Sequence, residues 1–162
     1  MQEAAGVLAS LHASSLAQAM RGSIWMYPIV EIFHIIGFVV LVGSIAMFDL
    51  RVLGFARALP VMALGRHLLP WSVASLALIV PAGLMMFSAH PHDFVSNGVF
   101  QLKLLLIILA GLNALMFHVG VHRTVATWNT ATPPPALARA QALASLAIWV
   151  AVICCGRLLA YT

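Results

Sequence analysis

Residues 24–50 read IWMYPIVEIFHIIGFVVLVGSIAMFDL, in which Glu31, His34 and Asp49 are the acidic and imidazole side chains of a mostly apolar run. An α-helix rises 1.5 Å per residue, so about 20 apolar residues cross a hydrocarbon core of about 30 Å. This stretch is therefore long enough to span a membrane. Trp25 and Tyr27 at its start suit the aromatic belt of a membrane interface, and Pro28 is tolerated in a first helical turn. Asp49 and Arg51 mark its far end.

The composition of the whole chain agrees. Of 162 residues, 63% are hydrophobic and 7% are charged, against roughly half apolar and a quarter charged in soluble domains. Mean hydropathy is +1.05. Eight basic and four acidic side chains are too few to cover a water-exposed globule, so the surplus apolar surface must meet lipid. The formal charge of +4 does not indicate nucleic-acid binding, because the basic residues are scattered and form no patch. Cys154 and Cys155 are adjacent in an apolar run, which implies no disulfide framework and marks them as apolar filling.

Three further stretches have spanning length, at about 68–88, 100–122 and 137–161. Pro70 and Pro81 fall in the second, and a kink is expected at Pro81. His90-Pro-His-Asp93 and Asn97-Gly98 form the turn after it. Thr130-Ala-Thr-Pro-Pro-Pro135 breaks the chain before the fourth span. Val7, Leu8, Leu11 and Leu16 suggest a helix lying in the membrane interface, and residues 1–20 lack the basic start of a signal peptide. The expected fold is thus all-α, a four-helix membrane bundle in one domain over 1–162, with an N-terminal interfacial helix. Arg51, Arg57, Arg66, Arg123 and Arg139 lie on one side of it. Arg21, Lys103 and Arg157, offset by Glu3, Glu31 and Asp93, lie on the other. This bias places both termini outside the cytoplasm.

Ionisable groups at membrane depth are costly and hence candidates for function. Glu31 and His34, three apart on the first span, reach a depth similar to that of Lys103 and Arg157 on the third and fourth. The four could form an outward-facing site for an anionic or quinone-like ligand. The plainer reading is a Glu31–Arg157 ion pair, with Lys103 snorkelling to the interface. A second group lies near the inner face. His67 opens the second span, and His118 and His122 lie four apart on the third. Two facing imidazoles, here His67 and His118 with His122 as alternate, are what axial ligation of a b-type haem requires. Gly65, Gly111 and Gly120 are the small residues that would leave room for it. The plainer reading makes His67 and His122 interfacial polar groups beside Arg66 and Arg123. His34 could pair with Met85 or Met86 at a second haem, or handle protons at a quinol site. Asn113 is expected to bond across the bundle as structural glue. A third possibility is copper, because Met85, Met86, His90 and His92 combine soft thioether with imidazole near the outer end of the second span. No phosphate-binding loop, nucleophile elbow or carboxylate pair is present.

Several stretches carry a family resemblance: Trp25-Met-Tyr-Pro-Ile-Val-Glu-Ile-Phe-His34, Val42-Gly-Ser-Ile-Ala-Met-Phe-Asp-Leu-Arg51, His67-Leu-Leu-Pro-Trp71, Lys103-Leu-Leu-Leu, Gly111-Leu-Asn113, Phe117-His118 and Cys155-Gly-Arg157. From about Ile24 onward the chain resembles a family of small bacterial four-helix inner-membrane proteins of unassigned function. The resemblance implies a bacterial cytoplasmic-membrane location, and no activity; in such a membrane the charge bias makes the termini periplasmic. In architecture and histidine placement the chain is also loosely similar to membrane cytochrome b subunits and to copper-resistance membrane proteins.

The leading expectation is a haem b-binding subunit, with one or two haems, for electron transfer or quinone-linked redox chemistry. It would work in the lipid bilayer with a redox partner protein or as a homo-oligomer. The alternatives are a copper or small-solute transporter and a non-redox membrane anchor or assembly subunit.

Overall fold

The computed structural model describes residues 2–130 and 132–162. The side chains of residues 2–5, Glu3 among them, and Ala131 of the proline break lie outside that description. Seven α-helices follow one another: α1 Gln2–Ala13, α2 Ser15–Gly22, α3 Met26–Leu53, α4 Val61–Ala89, α5 Pro91–Ser96, α6 Gly98–Val119 and α7 Ala136–Leu158. A 3-10 helix, Val121–Thr127, lies between the last two. There is no strand among the described residues. The fold is all-α, and α3, α4, α6 and α7 have the length and apolarity to cross a membrane. Only 11–28% of the most apolar window of each of these four is buried, which leaves most of that surface for lipid.

The boundaries differ from the expected ones for identifiable reasons. α4 begins at Val61 rather than near Leu68, because Asn129 holds its first turn. The Asn129 carbonyl accepts from the Val61 N–H at 3.1 Å, and its Oδ1 accepts from the Met62 N–H at 3.0 Å. These are two of the donors that a helix start leaves without an internal partner. His67 is therefore nearly two turns inside α4, not at its start. α6 stops at Val119, so His122 lies in the 3-10 helix and not on α6. A Cβ at Gly120 would sit 2.9 Å from the Met116 carbonyl oxygen, so a residue with a side chain could not take this backbone without a shift. The N-terminal segment is two helices, divided at Ser14, whose side chain accepts from the Ala17 N–H. α4 is continuous through Pro70 and Pro81.

The chain divides into two compact units, Met1–Leu41 with Val73–Gly98, and Val42–Ser72 with Val99–Thr162. In the first, Met20, Val30, Ala82 and Ala89 form a core with Met26, Tyr27, Met85 and Met86 packed on it. α3 and α4 approach closely at Gly37, where a Cβ would lie 2.8 Å from Ile79 Cγ1 and 3.2 Å from the Ser75 carbonyl oxygen. Small residues permit such backbone approach in membrane helices. Arg21 donates to the carbonyls of Ala89 and His12 at 2.9 and 2.8 Å, which caps the end of α4 with a cation.

In the second unit, Phe48, Val52, Val61, Phe117, Val121, Val125, Trp128, Ala138 and Ala142 form the core. Phe48 and Phe117 meet edge to face at 5.7 Å, a favoured aromatic geometry. Trp128 is 2% exposed, and its indole N–H donates to Thr124 Oγ1 at 3.0 Å.

Candidate functional site

Within the first unit, His34 is half-buried, and its ring Nδ1 lies 3.0 Å from the Ile79 carbonyl. A carbonyl only accepts, so Nδ1 carries the proton. Its Cε1 would be 3.2 Å from a Cβ on Gly83. The ring is thus seated against the backbone of α4. Met85 and Met86 pack on the core beside Met20 and Ala82. Glu31 is exposed on α3, one turn after Tyr27. Lys103 and Arg157 belong to the second unit and are described there.

The four residues of the copper reading have separate contacts. His90 Nδ1 lies 3.7 Å from Asp93 Oδ2 on α5. His92 instead faces His12, with ring centroids 6.4 Å apart, while Met85 and Met86 serve the core. Among the described residues no three His, Cys, Asp or Glu side chains gather as a metal site.

In the second unit, His118 and His122 come together. Their rings stack at 5.3 Å with 30° between planes, and Phe117 meets His118 edge-on at 5.8 Å. His118 Nδ1 lies 2.8 Å from the Ala114 carbonyl, so Nδ1 donates and Nε2 keeps its lone pair. Burial, and then the charge of His118, hold the His122 imidazole below its ordinary pKa. His67 is exposed on α4, and no hydrogen bond, ion pair or ring contact joins it to His118 among the described residues. Two rings stacked on one side cannot take opposite faces of one porphyrin, so His122 is not the partner of His118 across a haem. At His118 the backbone fixes the tautomer, and the ring stands exposed on α6.

Lys103 rests against α7, with Nζ 3.7 Å from where a Gly156 Cβ would be. Arg157 turns to its own helix end. It donates to the Tyr161 hydroxyl and lies over that ring, 4.8 Å from the centroid.

Two polar arrangements stand out that the sequence reading had passed over as span-end residues. Arg51 is 2% exposed and donates to the carbonyls of Leu59 at 2.6 Å, Asn129 at 3.0 Å and Arg57 at 3.3 Å. It ties together the loop and the α4 start. Asp49 is 7% exposed and accepts a hydrogen bond from Ser145 on α7. Its Oδ2 and the Gln141 Oε1 have no hydrogen-bond partner. Asn113 Nδ2 donates to the Gln141 carbonyl at 3.0 Å, joining α6 to α7 as expected of it. The signal for Asp49 was present in the sequence as an acid inside an apolar run, with Gln141 and Ser145 four apart on one face of the last span.

The family model described as a family of unknown function, DUF6644, matches residues 15–162. This accords with the resemblance to membrane proteins of unassigned function, while the likeness to cytochrome b subunits finds no support in it. No curated protein matches the chain, and no solved structure does either.

Proposed function

The chain belongs to the DUF6644 family of unknown function, and from that premise we propose that it is a haem b-binding membrane subunit serving a partner in electron transfer. The observation that carries this reading is His118. Its Nδ1–H is committed to the Ala114 carbonyl, which orients the ring and leaves Nε2 available as a ligand. Phe117, edge-on to the imidazole, restricts its rotation. Bound there, a haem would supply one-electron chemistry.

His118 would hold one axial position. His67, exposed on α4 in the same unit, is the candidate for the other, supplied by this chain or by a second copy. The exposure of both imidazoles favours a site completed by another protein surface. A quinone site of Glu31, Lys103 and Arg157 is less favoured, since Arg157 is engaged by Tyr161 and Lys103 lies against Gly156. The proposed location is the bacterial inner membrane, with both termini periplasmic. That orientation rests on the bias of Arg51, Arg57, Arg66, Arg123 and Arg139 towards one side.

The test is the dithionite-reduced minus oxidised spectrum of protein purified after expression with a haem supply. Soret and α bands are expected in the wild type and should be lost in His118→Ala. Loss in His67→Ala as well would assign the second ligand. A colourless preparation would overturn the reading. Stoichiometric copper in it would then support a copper transporter, and fixed co-purification of another protein would support an anchor.

A further inference from the structure

The buried polar group of the second unit holds two acceptors to which no described donor is bonded. Asp49 Oδ2 and Gln141 Oε1 are both without a hydrogen-bond partner, on side chains 7% and 8% exposed. Ser145 bonds the Asp49 carboxyl, and Gln141 precedes Ser145 by four residues on α7, on the same helix face. The two orphan oxygens therefore belong to side chains at neighbouring levels of one α7 face, Asp49 through its bond to Ser145 and Gln141 one turn before it. Asn113, through its bond to the Gln141 carbonyl, fixes the α7 backbone at this level. Buried acceptors cost free energy when left unmade, and a buried carboxylate without compensation costs more.

Among the described residues no cationic side chain is bonded to either oxygen. Arg51 on the same helix gives its donors to three carbonyls. Arg66 and His67 on α4, His118 on α6 and Arg139 on α7 are exposed, and none is bonded to Asp49. His122 stacks on His118, and Lys103 lies against Gly156, about three turns along α7 from Ser145. One carboxylate with two neutral oxygen-bearing side chains has the charge and hardness for a single positive charge. It falls short of the six to eight oxygens of a calcium site.

We propose that Asp49, Ser145 and Gln141 form an intramembrane binding site for a monovalent cation, taken either as a proton on Asp49 or as a sodium ion shared between Asp49 and Gln141. The site is independent of any haem at His118, so the failure of one reading leaves the other standing.

The purified full chain in lipid nanodiscs, titrated with sodium chloride against choline chloride at fixed ionic strength, distinguishes the two cations. Sodium binding predicts a melting temperature that rises with sodium in the wild type and does not in Asp49→Asn. Gln141→Leu should then need about tenfold more sodium for the same rise. Proton binding predicts no sodium effect and a protonated-carboxyl infrared stretch that is missing from Asp49→Asn and shifted in Gln141→Leu. Should Asp49→Asn fail to fold, Gln141→Leu and Ser145→Ala carry the same comparisons. A carboxylate ionised at every pH with no sodium effect would overturn the proposal, leaving buried water as the partner. So would responses that are unchanged in all the variants that fold.

Discussion

Arg51 illustrates how a charge at a helix end becomes structural. Its guanidinium reaches three carbonyls from residues 57, 59 and 129, and a planar fork of donors suits that task where an ammonium does not. Arg51→Lys should destabilise the protein by about 1.5–3 kcal/mol, read as a lower unfolding midpoint in detergent micelles. Arg57→Lys should be close to neutral by the same measurement, since Arg57 is exposed and gives one bond to the Gly54 carbonyl. The sequence marked Arg51 and Asp49 only as the end of a span. Their burial depends on residues 59, 129 and 145, which are remote in the chain, so no local pattern could have shown it. Histidines were easier to find than to pair, because spacing shows that His118 and His122 share a side but not whether His67 meets them.

At the level of the helices, hydrophobic runs located all four long helices, with every end within three residues except the start of α4, which lies seven residues earlier than expected. The errors lay where the backbone is satisfied by something outside the run. α4 starts early because Asn129 supplies acceptors to its first two N–H groups, and α6 ends early at Gly120. Within the first unit, the contact between α3 and α4 depends on Gly37. Gly37→Leu places atoms where Ile79 and Leu78 side chains and the Ser75 carbonyl already are. Overpacking of this kind costs about 1–3 kcal/mol. The variant should show a lower thermal midpoint, whereas Gly43→Ala, with open space around its position, should not.

For the molecule as a whole, four membrane-length helices predict an even number of crossings, with the segments before α3 and after α7 on one side of the bilayer. Single cysteines introduced at residues 57 and 129, in a variant with Cys154 and Cys155 replaced by Ala, should react with an impermeant maleimide from one face. A cysteine at residue 97 should react only from the opposite face. Labelling of all three from a single face would refute four crossings. Composition alone determined that this chain lies in a membrane as helices, because hydrocarbon leaves every backbone polar group to be satisfied within the segment. It also marked which ionisable side chains are costly there. Only the tertiary structure decided how they are used. The pairing of Asp49 with Ser145, the two acceptors left open beside it and the engagement of Arg157 with Tyr161 follow from side-chain positions on packed helices. Periodicity constrains only the face a residue occupies, so it could not place Asp49 against α7 or leave Gln141 Oε1 without a partner.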